Sequence, residues 1–115
     1  SCAACALRSR KQLTMYFSPQ ISPSSVEHLR DQGIKTILCC RPDDEDPGQP
    51  SFEAVQHAAA EAGLRAFYVP VAPGAYGADD VAALKQILAE AETPIIAYCR
   101  SGKRAQDFCA LAAPA

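Results

Sequence analysis

No stretch of this sequence approaches the roughly 20 consecutive apolar residues that a membrane-spanning helix needs, and no secretory leader is visible at its start. It also lacks charge of one dominant sign. Eleven Lys and Arg stand against 13 Asp and Glu, a formal net charge of −2. That balance removes the basic excess on which bulk nucleic-acid binding depends. A zinc ligand set is missing too. Cys2-x-x-Cys5 is half of one, and no second CxxC or HxxxH completes it. The expectation is therefore a cytoplasmic protein with no membrane or nucleic-acid partner, no metal and no cofactor.

Cysteine is not scarce. Six occur in 115 residues, at positions 2, 5, 39, 40, 99 and 109. An even count is compatible with three disulfides in a secreted protein. The segments carrying Cys39, Cys40 and Cys99 read instead as buried parallel strands, and neighbours at 39 and 40 point to opposite faces. Reduced thiols in a cytoplasmic protein fit that pattern better. A redox role for Cys2 and Cys5 is disfavoured, because such motifs follow a strand and open a helix.

The length suits one small domain with a core of its own. Residues 1–11 are small and basic without period, and read as a linker or disordered arm; residues 12–115 read as the domain. Ser1 in place of Met suggests a processed product or a fragment. From residue 12 strand and helix alternate. Leu13 to Phe17 forms a first strand. Ser22 caps a helix opened by Pro23, carrying Val26 and Leu29 on one face and stopped by Gly33. Ile34 to Cys40 is a strand buried on both faces. Arg41 to Pro50 is a loop rich in Asp, Pro and Gly. Ser51 caps a helix with the stripe Phe52, Val55, Ala59 and Ala62. Leu64 to Val71 is a third strand. A helix from Ala78 or Asp79 carries Val81, Leu84, Ile87, Leu88 and Ala91. Pro94 to Tyr98 is a fourth strand, and a last helix covers residues 104–113.

Repeated strand–helix–strand units imply an α/β fold: a small, mainly parallel sheet of four or five strands with helices on both faces. Ligands of such sheets bind beyond the carboxyl ends of the strands. There, directly after the most apolar strand, stands Cys99-Arg100-Ser101-Gly102-Lys103-Arg104. A helix N-terminus supplies free N–H groups and the positive end of a dipole. Three cationic side chains add to it. Both favour a thiolate at Cys99. Gly102 lets the backbone turn so that several N–H groups face one anion. Basic residues at a helix N-terminus oppose the dipole, so a purely structural helix would carry Asp or Glu there. Their presence points to an anionic ligand.

Tyr98-Cys-Arg-Ser-Gly-x-Arg104 resembles the active-site loop of rhodanese-type sulfurtransferases. The wider chain, from Gln12 to Leu111, resembles the phosphatase-like domain of β-lactamase-hydrolase-like proteins. Its landmarks are Gln20-Ile21-Ser22, Arg41-Pro42-Asp43, Pro47-Gly48-Gln49-Pro50-Ser51, Tyr68-Val69-Pro70-Val71 and the Cys99 loop. The resemblance implies the fold of tyrosine and dual-specificity phosphatases. It also implies a chain continuing past Pro114, and a fused or associated metallo-β-lactamase-type persulfide dioxygenase.

Two chemistries use such a cysteine. Tyrosine-type phosphatases place five residues between Cys and Arg; here four separate Cys99 from Arg104. Those enzymes follow the Arg with Ser or Thr; here Ala105 follows. Dual-specificity phosphatases carry an acidic residue after the strand matching Tyr68–Val71; here that stretch is Ala72-Pro73-Gly74. Asp79 and Asp80 read as N-caps, and Asp43 to Asp46 as a solvated turn. These departures favour sulfur transfer through a Cys99 persulfide from thiosulfate or a persulfide to a thiol acceptor, with Cys99 and Arg104 catalytic. Arg100, Ser101, Gly102, Lys103 and Arg41 would bind the small anionic sulfur or phosphate substrate. The alternative is a cysteine-dependent phosphatase acting through a phosphocysteine at Cys99. A non-catalytic redox sensor and a module binding phosphorylated or sulfated ligands are further readings. Cys40 is either core filler or a resolving thiol, and Cys109 reads as helix packing. His28 and His57 have no acidic partner evident in the sequence.

Overall fold

The computed structural model describes residues 13–113; the arm at residues 1–11, with Cys2 and Cys5, lies outside them. Four strands, β1 (Met15–Ser18), β2 (Thr36–Cys39), β3 (Arg65–Tyr68) and β4 (Ile95–Tyr98), pair in the order β1-β4-β2-β3. Every pairing is parallel. The two central strands, β2 and β4, are buried at all four positions, and the edge strands are half open. Burial on both faces explains their unbroken apolar runs.

Four helices connect the strands: α1 (Val26–Asp31), α2 (Phe52–Glu61), α3 (Ala78–Glu90) and α4 (Lys103–Ala112). They cover both faces. On one, Ile37, Cys39, Ile96 and Tyr98 pack with Val26, Val55 and Ala59 of α1 and α2. On the other, Leu38, Cys40, Ala97 and Cys99 pack with Leu84, Leu88, Ala105, Phe108 and Cys109 of α3 and α4. The period-2 alternation of a strand thus sends Cys39 and Cys40 to opposite faces.

Helix starts follow local chemistry. Ser51 Oγ accepts the Ala54 N–H at 3.1 Å and caps α2. Asp80 reaches back to the Gly77 N–H at 3.2 Å and closes the start of α3. Ser22 does not cap as expected. Its hydroxyl contacts Ser24 Oγ at 3.1 Å, and Pro23–Ser25 form a 3₁₀ turn before α1. The tighter turn brings Ser25 N onto Ser22 O and satisfies the chain without a side-chain cap.

Beyond β4 the chain enters α4 on one face; beyond β2 it loops to α2 on the other. The two connections diverge from neighbouring strands, and the crevice between them is where parallel sheets hold ligands.

Candidate active site

Cys99 is the first residue after β4 and is fully buried. Its Sγ accepts the N–H of Gly102 at 3.0 Å and that of Ala105 at 3.4 Å. Two N–H donors at a helix start thus converge on the sulfur. The geometry depends on Gly102. Its φ of +100° is a left-handed conformation that L side chains avoid, and it turns the chain from loop into α4. Among the described residues, the N–H groups of Arg100 and Ser101 have no protein partner.

Arg104, in the first turn of α4, is almost wholly buried. One terminal nitrogen donates to Glu45 Oε2 and to the Val71 carbonyl, each at 2.9 Å, and the other donates to Glu45 Oε1 at 3.1 Å. Its Nε is buried without a partner among the described residues. A buried donor left open costs roughly 1–3 kcal/mol, so an open Arg104 Nε marks a place for an acceptor. Burial works against the guanidinium charge, but the hydrogen bond and charge of Glu45 outweigh it and hold the proton more tightly.

Glu45 is the hub. Its Oε1 also accepts from Arg41 Nε at 2.9 Å, so one carboxylate joins two buried arginines. The Arg104 hydrogen bond, reinforced by Arg41 and both positive charges against partial desolvation, pulls the Glu45 carboxyl below the usual glutamate range. Arg41 completes its coordination with Gln20 Oε1 at 2.9 Å and with the Asp46 carboxylate. Asp46 in turn meets Arg100 Nε at 3.2 Å.

Cys99, Arg100, Ser101, Gly102, Arg104 and Arg41 therefore converge on one sheet edge. Lys103 does not join them: its ammonium pairs with Asp107 on its own helix at 3.2 Å. Three residues join the constellation unexpectedly: Gln20, Glu45 and Asp46. The acidic run after β2 is exposed at residues 43–45, as a solvated turn would be, yet Glu45 and Asp46 also supply the counter-charge that two buried guanidinium groups need within reach. That need, together with the adjacency of β2 and β4, was the available signal. Asp43 is likewise engaged, its Oδ1 accepting the Phe52 N–H at 2.8 Å. His57 also differs from expectation, lying 3.1 Å from Glu61 one turn along α2.

The four described cysteines are free thiols. The neighbouring Cys109 thiol and burial together push the Cys40 thiol well above the ordinary range. Among the described residues no three His, Cys, Asp or Glu side chains gather as a metal site requires, and no helix is long and apolar enough to cross a membrane.

Residues 10–115 match the family model described as the phosphatase-like domain of β-lactamase hydrolase-like protein. The chain belongs to that family. It is 38% identical over 100 residues to the β-lactamase hydrolase-like protein of Agrobacterium fabrum C58, covering 87% of this chain and 23% of that protein. The namesake protein of Xylella fastidiosa Temecula1 is 38% identical over 80 residues, covering 70% of this chain and 19% of the relative. The domain thus spans less than a quarter of either relative. Among solved structures, a "putative phosphatase" from Neisseria meningitidis Z2491 superposes with a TM-score of 0.76 at 35% identity, over 85% of this chain and 70% of that one. A second "putative phosphatase", from Shewanella putrefaciens CN-32, has a TM-score of 0.72 at 17% identity, over 90% of this chain and 64% of that one, and shares the fold.

These matches overturn the expected sulfurtransferase, since the family and its solved neighbour are described by phosphatase chemistry. The physical reason is that the spacing argument counted residues and not donors. Two free N–H groups and the open Arg104 Nε form a set suited to several oxygens rather than one sulfur. Ala105 brings no hydroxyl, and its contact with Sγ is through the backbone N–H alone.

Proposed function

We propose that this family member is a cysteine-dependent phosphatase that hydrolyses phosphomonoesters through a phosphocysteine at Cys99. The observation that carries the reading is the unpartnered, buried Nε of Arg104, beside a thiol already held by two N–H donors. A phosphoryl oxygen would complete that nitrogen, and the Arg100 and Ser101 N–H groups would take the others.

In the first step Cys99 Sγ attacks phosphorus in line. The S–P bond forms, the P–O bond to the alcohol breaks, and the alkoxide or phenoxide leaves with the bond electrons. In the second, water attacks phosphorus, the S–P bond breaks, and inorganic phosphate departs as the thiolate returns to its donors. Arg104 counters the charge on the equatorial oxygens throughout. Glu45 acts as a positioning residue for it. Leaving-group protonation is the weak point of the site. Asp43 caps α2, Glu45 and Asp46 are tied to arginines, and Asp80 caps α3. Aryl phosphates, whose phenoxide leaves without much help, are therefore the favoured substrates. The β-lactamase hydrolase-like name of the relatives, of whose length this chain spans 23% or less, supports a fused or associated metallo-β-lactamase-type partner, and the four free thiols among the described residues support a reducing, cytoplasmic setting.

The test is phosphate release from an aryl phosphate, with intact-mass detection of the acid-quenched enzyme. A phosphate adduct on Cys99 and loss of turnover in Cys99→Ser support the proposal. Undiminished release by Cys99→Ser would refute it.

A further inference from the structure

In-line attack by Cys99 sets where the rest of a substrate must lie. The leaving oxygen stands opposite Sγ, so its substituent emerges from the cradle between the loops that follow β2 and β3. The two sides of that exit differ in chemistry. On the β2 side stand Glu45 and Asp46, paired with Arg104, Arg41 and Arg100. On the β3 side stands an aromatic ring, Tyr76. Between Val71 and Gly77 that loop carries no carboxyl group.

Packing holds the ring in place. It stacks on Phe108 with centroids 5.2 Å apart and planes 15° from parallel. Phe108 is fully buried and lies one turn after Arg104 on α4, so the two rise from one face of that helix. A ring that covers Phe108 therefore lies along the side of α4 that carries Arg104. The Arg104 guanidinium also feels the Tyr76 phenol, and it donates to the Val71 carbonyl at the root of the same loop. The loop is short and tied at both ends. The Ala75 N–H donates to the Ala72 carbonyl at 3.0 Å, and the Gly77 N–H donates to Asp80. Tyr76 is only half-buried, which leaves part of a pre-positioned ring open to a ligand. A second stack, Phe52 on Tyr68 at 4.7 Å, does not compete for this place. Phe52 packs on the α1 and α2 face, whereas Cys99 faces α3 and α4.

We propose that Tyr76 is a specificity-determining residue, the wall on which the aromatic ring of an aryl phosphate stacks while Cys99 attacks phosphorus. The inference rests on the reading of the site as a phosphomonoester phosphatase and says what that site selects. The wall and the lack of a proton donor act together. A planar ring gains stacking on Tyr76, and the phenoxide it becomes departs without a donor; an alkyl group gains neither.

The experiment measures binding of phenylphosphonate and methylphosphonate to Cys99→Ser protein by calorimetry. Both carry the same anion and neither can be hydrolysed. The phenyl compound should bind about 2- to 12-fold tighter, the range that aromatic stacking supplies. Tyr76→Phe should keep that advantage. Tyr76→Leu, which still covers Phe108 with an apolar side chain, should lose it, with methylphosphonate affinity unchanged as the sign of an intact cradle. Phe52→Leu should leave the advantage in place. With Cys99 present, Tyr76→Leu should raise KM for phenyl phosphate by the same factor and change kcat less. Independently of any variant, bound phenylphosphonate should show nuclear Overhauser contacts between its ring protons and those of Tyr76. A phenyl advantage that is absent at the start, survives Tyr76→Leu or is abolished by Phe52→Leu overturns the proposal, as does bound ligand with no contact to Tyr76. Binding needs no turnover, so the two ideas fail separately. A phenyl preference set by Tyr76 in a protein that releases no phosphate sinks only the phosphatase reading. An active phosphatase whose phenyl preference ignores Tyr76 sinks only this inference.

Discussion

Replacing Glu45 by Gln tests the hub of the site with the smallest change of shape. The carboxylate takes three hydrogen bonds: Arg41 Nε and one Arg104 nitrogen on Oε1, and the other Arg104 nitrogen on Oε2. A Gln carbonyl in the place of Oε1 keeps the first two as neutral-acceptor bonds. Its NH₂ then faces an Arg104 donor, and that contact is lost. A hydrogen bond to a charged group contributes about 1.5–3 kcal/mol, and breaking a fully buried ion pair costs about 3–5 kcal/mol. The Glu45 side chain is 24% exposed and solvent screens part of the field, against 4% and 7% for the side chains of its arginine partners. The lower end applies, so Glu45→Gln should lose about 2–3 kcal/mol of stability. The measurement is the urea midpoint at constant slope. The sign with pH follows from the depressed Glu45 carboxyl. Its contribution is complete above the unfolded glutamate value and disappears as pH falls through the lower folded value, so wild type and variant should converge in acid. Freed of its clamp, Arg104 should also misplace its guanidinium, lowering kcat/KM for an aryl phosphate by about 10²-fold. A variant within about 0.5 kcal/mol of wild type across that pH range, the ordinary scatter of surface substitutions, would refute the clamp.

Gly102→Ala meets no steric wall, since the added Cβ would lie 3.4 Å from the Ser18 carbonyl carbon. Backbone strain at φ +100° should still cost about 1–2 kcal/mol, and alkylation of Cys99 should slow as its Gly102 donor tilts away; unchanged alkylation kinetics would argue against the cradle. Alkyl phosphates should turn over about 10²–10⁴-fold more slowly than aryl phosphates because the carboxylates that reach the site, Glu45 and Asp46, are tied to arginines and not placed to protonate the leaving oxygen. Equal rates would reveal an unrecognised acid, and Asp44, at φ +64° in the same loop, would be the first residue to replace.

The sheet was legible because burial on both faces leaves a plain imprint. Ile37 to Cys40 and Ile95 to Cys99 carry no polar residue to face water, and they are the central strands. Edge strands blur: β3 begins with Arg65 and β1 ends on Ser18, so the expected runs 64–71 and 13–17 overshoot or slip by a few residues. Cys99, Gly102 and Arg104 were legible as well, because a cationic helix start contradicts the dipole it should complement. What the sequence hid is the counter-charge. Asp43 to Asp46 resemble any polar turn when read locally. Only the strand order, with β2 beside β4, brings Glu45 across to Arg104, 59 positions away.

The same non-local contact explains why loop length misled the choice between sulfur and phosphorus. Had Arg104 folded over Cys99, four intervening residues would have closed the cradle around a single atom. Glu45 and the Val71 carbonyl instead pull both terminal nitrogens aside and leave Nε as the donor without an acceptor. The pose of Arg104 is thus set from the loops after β2 and β3, outside the Cys99 loop itself. A chain with this Cys-x4-Arg spacing but no carboxylate placed like Glu45 should have its guanidinium free to collapse onto the sulfur, and the spacing alone would then be a fair guide to its chemistry.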